Sequence, residues 1–335
     1  MKSGSYLKLF GSFAFVILLS GCQVTYLIKS AYSQANLLRK RVDIEEAVRS
    51  NDLTSEQKRK LLLAQEARLF AESHLKLSQT KNYTSFVQLD GPFVTYVVSA
   101  APKDELKHYL WKYPLVGEMP YKGYFNKSDA DEEAENLKAE GLDTYIRGVT
   151  AYSTLGWFRD PVLSSMLEYK DHELVNTIIH ETVHATVFIK SEADFNERLA
   201  TFIGNKGTEA FYAQKEGVKS ATESKTNAMM KAESEDEEAF AKFMSGELDA
   251  LEKWYLDKKG TPIAEAERTA RIKEIQTRFA SDLKPKLKDA ESFSRFEKAE
   301  LNNARLLTFR LYFQDLNQFE KVFDKLGGDF TKMLE

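Results

Sequence analysis

Apolar side chains recur every three or four residues along most of the chain, which predicts a predominantly helical protein. In the clearest case, over residues 171–190, one helix face would carry Leu174, Val175, Ile178, Ile179, Val183 and Val187. Ser191 is suited to cap a second helix, whose core stripe would be Phe195, Leu199, Phe202 and Ile203. On its opposite face Glu197 lies among small residues, and Ala200 and Gly204 would let the two helices approach closely.

Strand-like alternation is confined to short stretches, which predicts a small sheet beside the helices. These stretches are residues 93–98, 144–149 and 148–158. Upstream, residues 24–77 predict two helices broken near residues 50–52, with Thr54 at the start of the second. The apolar stripe of that second helix would include Leu61, Leu62, Ala64, Leu69 and Phe70.

Residues 208–300 are rich in charged residues and alanine and carry almost no strand signal. A break at residues 258–262 predicts a long helical hairpin, whose charge runs are typical of solvated faces. Residues 301–335 return to an amphipathic, aromatic pattern that should pack back on the core. The sequence therefore predicts a predominantly helical α+β fold, with N-terminal helices and the main core in residues 22–207.

Candidate chemistry lies in the first of these helices, at His180-Glu181-Thr182-Val183-His184. Two histidines four residues apart project from one helix face, so both imidazoles can bind a single zinc ion. The glutamate between them can then take a proton from a zinc-bound water. The alternative for this histidine pair is an ordinary solvated or buried helix face.

A zinc site of this kind needs a third protein ligand, and Glu197 on the next helix is the candidate. Its small neighbours are unusual for a merely solvated face, although an ordinary surface glutamate remains the other interpretation. Glu192 is the alternative ligand, and its shorter connection makes the geometry harder. The expected cofactor is one zinc ion per chain, bound by His180, His184 and Glu197, with Glu181 as the general base.

Several stretches around this helix carry a resemblance to a known family. They are YPLVG at 113–117, PYKGYF at 120–125, GVTAYSTLGWFRDP at 148–161 and FNERLA at 195–200. Over about residues 97–207, with a weaker match at residues 302–304, the chain resembles bacterial lipoproteins described as zinc aminopeptidases, within the gluzincin group. The resemblance implies a zincin-like metallopeptidase core with the ligands and base named above.

This chain departs from the well-known aminopeptidases of that group in two ways. The gap between His184 and Glu197 is shorter, and the Gly-x-Met-x-Asn string that holds the substrate's amino terminus is absent. The peptidase interpretation is compatible with both departures, whereas the aminopeptidase assignment rests on the family description.

Residues 148–158 alternate as a strand does. In metallopeptidases of this type an edge strand lies beside the metal and pairs with the extended substrate. Ala151, Tyr152 and Ser153 are therefore candidate substrate-binding residues, and a plain core strand is the alternative. The candidates to stabilise the oxyanion of a tetrahedral intermediate are Tyr121, Tyr124 and Tyr152.

The amino terminus predicts a location. Two lysines precede an apolar run over residues 9–19, which is too short to span a bilayer comfortably, and LSGC follows at 19–22. This resembles a lipoprotein signal in which residues 1–21 are removed and Cys22 is lipidated; a cleaved soluble signal is the alternative. Gln23 after the cysteine favours the outer membrane of a Gram-negative envelope, with the protein facing the periplasm.

Charge and cysteine content narrow the function further. Cys22 is the chain's only cysteine, which excludes disulfides and thiolate ligands. Loss of the two lysines in residues 1–21 lowers the net charge from −4 to about −6, which argues against a nucleic-acid partner. We therefore expect a zinc-dependent peptidase, by resemblance an aminopeptidase, that acts on peptide substrates and is bound to the membrane through Cys22. The alternatives are an endopeptidase in envelope quality control and a non-catalytic lipoprotein that uses the fold for binding or scaffolding.

Overall fold

The computed structural model describes residues 25–26, 28–113, 117–151, 159–189, 192–310 and 316–334. Over these residues the chain is predominantly helical with small sheets, which confirms the predicted α+β class. The lipidation candidate Cys22 and the substrate-binding candidates Tyr152 and Ser153 lie outside the described residues.

The N-terminal helices differ in part from the two that the pattern predicts. Helix α1 covers residues 28–39, and the short strand β1 (Val42–Asp43) separates it from α2 (Ile44–Arg49). Helix α3 (Ser55–Ser73) begins as predicted, because the Thr54 side chain accepts a hydrogen bond from the backbone N–H of Gln57.

The predicted apolar stripe of α3 is wrong at Leu62 and Leu69, which are exposed. The buried face instead uses Ala64, Ala67 and Ala71 at helical spacing. Leu62 and Leu69 are seven residues apart and therefore lie together on the solvent side. Small residues make the contact because α3 packs closely against the helix that carries the candidate histidines.

The strands form three small sheets within the described residues. Their bounds are β2 (Ser85–Val87), β3 (Thr95–Ala101), β4 (Trp111–Tyr113), β5 (Gly117–Met119), β6 (Lys122–Tyr124), β7 (Asp143–Val149) and β8 (Val162–Leu163). The first sheet, β1-β2-β8, is mixed, since β2 is antiparallel to β1 and parallel to β8. The second, β6-β3-β7, is antiparallel and is covered by α4 (Lys127–Ala139).

The main hydrophobic core surrounds two helices in the middle of the chain, α5 (Asp171–Thr186) and α6 (Ala193–Lys215). Three of the four predicted core residues of α6 are buried, but Phe195 is largely exposed and contacts Phe319. Helix α6 continues past residue 207, where the sequence predicts the end of the core segment. The predicted hairpin consists of α7 (Lys225–Asp257) and α8 (Glu265–Arg278), separated close to the predicted break.

The C-terminal residues complete two different cores. After α8 the chain passes through short helical turns and α9 (Ser294–Glu297) into α10 (Asn303–Arg310), α11 (Asn317–Lys325) and α12 (Phe330–Leu334). Leu306 of α10 packs within the hairpin's own hydrophobic cluster. Phe319 and Phe323 of α11 instead contact Phe202 in the main core.

A buried ion pair joins the hairpin to the second sheet. Arg268 of α8 donates two hydrogen bonds, of 2.6 and 3.2 Å, to the carboxylate of Asp143 at the start of β7. The backbone N–H of Asn303 donates to the same carboxylate at 2.9 Å, and the Asn302 side chain donates to the Thr144 carbonyl at 2.9 Å. The match at residues 302–304 therefore belongs to this junction.

Replacing Asp143 by alanine should destabilise the protein markedly, because it removes one of the two carboxylates that pair with the buried Arg268 guanidinium and also the acceptor of the Asn303 backbone N–H. Loss of one partner from a buried pair costs about 3–5 kcal/mol in the free energy of unfolding. Urea unfolding of wild-type and Asp143→Ala protein measures this. Asp131→Ala is the control, since its pairing with Lys127 is exposed and contributes less than about 1 kcal/mol. Equal effects of the two substitutions would contradict a structural role for the buried pair.

Candidate metal centre

Helix α5 places the two candidate histidines one turn apart on the same face. The Nε2 atoms of His180 and His184 lie 3.2 Å from each other, and the ring planes are inclined by 80°. The side chain of His184 is almost completely buried, while that of His180 is partly exposed. The histidine pair is therefore buried at His184 and accessible to solvent at His180.

Helix α6 brings Glu197 to this pair. Its Oε2 lies 3.5 Å from the Nε2 of His180, and its Oε1 lies 3.4 Å from the Nε2 of His184. Among the described residues, these three side chains form the group close enough to share a metal ion. The alternative ligand Glu192 precedes the first residue of α6 as its N-cap and is not part of that group.

The donor set and its spacing fit zinc. In a tetrahedral site with zinc–ligand bonds of about 2.0–2.1 Å, neighbouring ligand atoms are about 3.3–3.4 Å apart. The two imidazole Nε2 atoms are 3.2 Å apart, and each lies 3.4 or 3.5 Å from a different oxygen of the Glu197 carboxylate. One ligand atom from each residue therefore lies within 4.8 Å of the others. Two imidazoles and one carboxylate are also a donor set typical of catalytic zinc, with a fourth position left for water.

The histidines and Glu197 shift each other's pKa values. Hydrogen bonds from His180 and His184 hold the pKa of Glu197 well below its usual range. Burial lowers the pKa of His184, but its hydrogen bond to Glu197 and the charges of Glu197 and Glu181 more than offset this, so that the pKa is raised. Glu197 is therefore an anion at neutral pH, as a metal ligand must be.

The close approach of α5 and α6 depends on Gly204. A Cβ atom at this position would lie 3.3 Å from the Cβ of His180 and 3.3 Å from the Oδ1 of Asn176. Gly204 is two turns after Glu197, on the same face of α6. The predicted use of a small residue at the helix contact is thus confirmed.

Asn196 fixes the connection between the two helices. Its buried side chain accepts a hydrogen bond from the backbone N–H of Ile189 at 2.9 Å and donates one to the Ile189 carbonyl at 2.7 Å. The N–H and the carbonyl of Ile189 are therefore both bound by Asn196, the residue that directly precedes Glu197. Sequence reasoning placed this asparagine in a motif but did not give it a role.

Two polar residues one turn before His180 bond to partners other than the histidines. The Asn176 side chain donates to Asn205 at 2.8 Å, and the Thr177 hydroxyl donates to the Glu173 carbonyl at 2.8 Å. Helix geometry explains the second case, since a threonine hydroxyl can reach the carbonyl four residues earlier.

Two tyrosines lie close enough to Glu181 to be affected by its charge. Burial raises the pKa of Tyr83, and the charge of Glu181 adds to the effect. The pKa of Tyr169 is raised by burial, opposed by a hydrogen bond with Thr150, and raised further by Glu173 and Glu181. Both hydroxyls are thus protonated around neutral pH. No sequence pattern indicated Tyr83, which lies far from α5 in the chain and has a positive φ of 57°.

The end of strand β7 lies next to these tyrosines. The hydroxyls of Thr150 and Tyr169 are hydrogen-bonded, and the Thr150 carbonyl accepts a hydrogen bond from Ser165 at 2.5 Å. Ala151 follows and packs against the main core. Ala151 is the one substrate-binding candidate within the described residues. It directly follows Thr150, whose hydroxyl is bonded to Tyr169, and Tyr169 in turn lies within the electrostatic range of Glu181.

The described tyrosines suggested for the oxyanion lie elsewhere. Tyr124 packs in a separate hydrophobic cluster with Trp111 and Leu137, where burial and a hydrogen bond to Glu133 raise its pKa. Tyr121 lies between β5 and β6, exposed to solvent. Tyr124 is the last residue of β6, and Tyr121 belongs to the connection that enters β6, so neither position is set by the histidine helix.

The fold and site together describe a helical α+β protein with a candidate centre of two histidines and a glutamate on adjacent helices. A family model described as "Putative aminopeptidase" matches residues 25–335, so the chain belongs to this family. Comparisons with curated proteins and with solved structures found no match.

Replacing Asn196 by alanine should weaken metal binding, because the connection that sets the position of Glu197 loses both hydrogen bonds. Changes in groups that orient ligands typically lower metal affinity by about 10–100-fold. Competition with a chromogenic zinc chelator measures the affinity, and Gln214→Ala, an exposed amide on the same helix, is the control. Unchanged affinity in Asn196→Ala would contradict the positioning role, and a melting curve of the zinc-free variant would separate it from loss of folding.

Proposed function

We propose that this chain is a zinc-dependent peptidase in which His180, His184 and Glu197 bind the metal. The supporting observation is that their ligand atoms all lie within 4.8 Å of one another, close enough to bind one zinc ion. Glu181 follows the first histidine on the same helix, in the position of a general base. The family description supplies the reaction class, cleavage at the amino end of a peptide.

Each group of the centre has a chemical task in this proposal. When bound, zinc would lower the pKa of a water molecule and polarise the scissile carbonyl. Glu181 accepts a proton from that water and delivers it to the leaving amine. Glu197, kept ionised by the two histidines, contributes negative charge to the ligand set.

The surroundings of the centre suit a peptide. Strand β7 pairs with β3 on one side and is an edge strand among the described strands, so an extended substrate can add along its continuation at Thr150 and Ala151. Phe188 and Ile189 follow the end of α5 and have 53% and 44% of their surface exposed. This apolar pair, four and five residues after His184, supports binding of an apolar substrate side chain.

We also propose that the mature protein is lipid-anchored at Cys22 in the outer membrane and faces the periplasm. The support is the signal-like pattern of residues 1–22 followed by Gln23. Among the helices that the structure describes, none is long and apolar enough to cross a membrane.

The purified protein should contain about one zinc ion per chain. His180→Ala, His184→Ala and Glu197→Ala should each lower the zinc content sharply, since each removes one of three protein ligands. Metal analysis after gel filtration measures this, with Glu192→Ala as the control that should keep its zinc. If Glu197→Ala retained full zinc content, Glu197 would not be the third ligand.

Glu181→Gln should abolish most peptide hydrolysis while leaving zinc content and folding intact. The amide has the size of the carboxylate but cannot accept the proton, and loss of general-base catalysis lowers rates by about 10²–10⁴-fold. Wild-type and variant proteins, matched for zinc, are assayed on a peptide library with free and blocked amino termini. Cleavage confined to free termini supports an aminopeptidase, and cleavage of both an endopeptidase.

The non-catalytic alternative makes the opposite prediction for the same experiment. If zinc-loaded wild-type protein cleaved nothing in the library and Glu181→Gln complemented a deletion strain fully, the catalytic proposal would be wrong. A binding or scaffolding module would then replace it.

A further inference from the structure

Helix α1 presents apolar residues to solvent. Ile28 and Tyr32 are each 65% exposed, and Ala31 and Ala35 are exposed as well. Their spacing of three, four and seven residues puts all four on one face. We call this set the α1 stripe. On the half-buried side the helix carries polar residues, among them Ser30, Ser33, Gln34 and Asn36.

The half-buried side also includes Leu37, which packs against the main core, so α1 has apolar residues on both sides. A surface helix in water usually keeps its outer face polar, and the α1 stripe departs from that pattern. The charged residues of α1 are Lys29 and Arg39, near its two ends. The α1 stripe is therefore an uncharged patch between two cations, which is typical of a helix that lies at a membrane interface.

The helix is held in a fixed orientation on the body of the protein. The hydroxyl of Tyr26 donates a hydrogen bond to the Gly123 carbonyl at 2.7 Å, and its ring makes an edge contact with Tyr124 at 5.6 Å. Lys29 pairs with Asp129 of α4 at 3.2 Å, and Lys122 lies over the Tyr26 ring. The α1 stripe therefore points away from the second sheet in a defined direction.

The short chain segment between Cys22 and α1 indicates that a membrane covers the α1 stripe. Ile28, the first residue of α1, is six positions after Cys22, and an extended chain spans at most about 3.6 Å per residue, so the two are at most about 22 Å apart. A lipid on Cys22 would place the start of α1 within that distance of the membrane surface. No longer flexible linker is available to move the protein body away.

We propose that the α1 stripe is a membrane-contact surface that lies on the lipid bilayer to which Cys22 is anchored. The inference rests on the lipid anchor proposed above. Ile28 enters the interface, and Tyr32 takes the position that tyrosine favours at the boundary between lipid and water. The contact fixes which side of the protein faces the membrane.

A single-thiol experiment tests this on the full lipidated protein. Because Cys22 is the only cysteine and lipidation consumes its thiol, an introduced cysteine is the only free one. Ala35→Cys protein is labelled with an environment-sensitive fluorophore and reconstituted in phosphatidylethanolamine–phosphatidylglycerol vesicles that contain nitroxide lipid. The control is Leu256→Cys, an equally exposed apolar position at the end of α7.

We expect blue-shifted, strongly quenched emission at position 35 and little quenching at 256. Adding Ile28→Ser and Tyr32→Ser should reduce quenching at position 35 several-fold although the anchor is intact. Equal quenching at 35 and 256, or no effect of the two serines, would overturn the proposal. A blue shift at 35 without quenching by nitroxide lipid would also overturn it, since a protein surface would then cover the stripe.

Intact mass spectrometry of the same samples tests the anchor separately. Absence of a lipid adduct would make the anchor proposal wrong. In that case position 35 is measured after vesicles are added to unlipidated protein that carries Cys22→Ser with Ala35→Cys, so that the introduced cysteine is again the only free thiol. Quenching that the two serines remove would still support the membrane-contact surface, and no quenching would overturn it.

Discussion

The closeness of α5 and α6 is the constraint on which the candidate centre depends. The histidines and the glutamate come from different helices, and neither helix alone can bring three ligand atoms together. Gly204 lies where α6 passes the Cβ of His180, and it shares a face with Glu197. A larger residue there would separate the helices near the histidines, and Glu197 would move away with its helix.

Packing elsewhere supports this one contact. Phe202 on the other face of α6 is covered by Phe319 and Phe323 of α11, while α3 presses on α5 from its alanine-rich face. The centre is thus held between elements that come from both ends of the chain. Asn196 at the start of α6 binds both backbone groups of Ile189, which follows α5. The end of one helix is thereby tied to the beginning of the next.

Helical periodicity made the centre predictable, because His180, His184 and Glu197 lie on elements with clear apolar stripes. The same reasoning failed where tertiary contacts decide. Phe195 has the spacing of a core residue but is exposed. The ring that packs against it belongs to Phe319, more than a hundred residues later, and helical periodicity does not report such a contact. Leu62 and Leu69 follow the same pattern on α3.

Residues outside regular elements could not be predicted in this way. Tyr83 reaches the neighbourhood of Glu181 through an irregular segment with a left-handed backbone, which no periodic pattern describes. The orientation of α1 was equally out of reach, since a hydrophobic pattern identifies an apolar face but not the medium it contacts. The zinc, the lipid and the peptide stay predictions from chemistry, and the distances that the structure gives are those among the three candidate ligands.

The junction at Asp143 has a consequence for the order of events during synthesis. Its carboxylate is bound by residues 125 and 160 positions later in the chain, so Asp143 acquires these partners only after nearly the whole protein has emerged. The strand itself can pair earlier, because β3 precedes β7 in the chain. A ribosome-stalled or truncated chain that ends before residue 303 would therefore carry the paired strands without the complete junction to the hairpin, and that junction would close only at the end of folding.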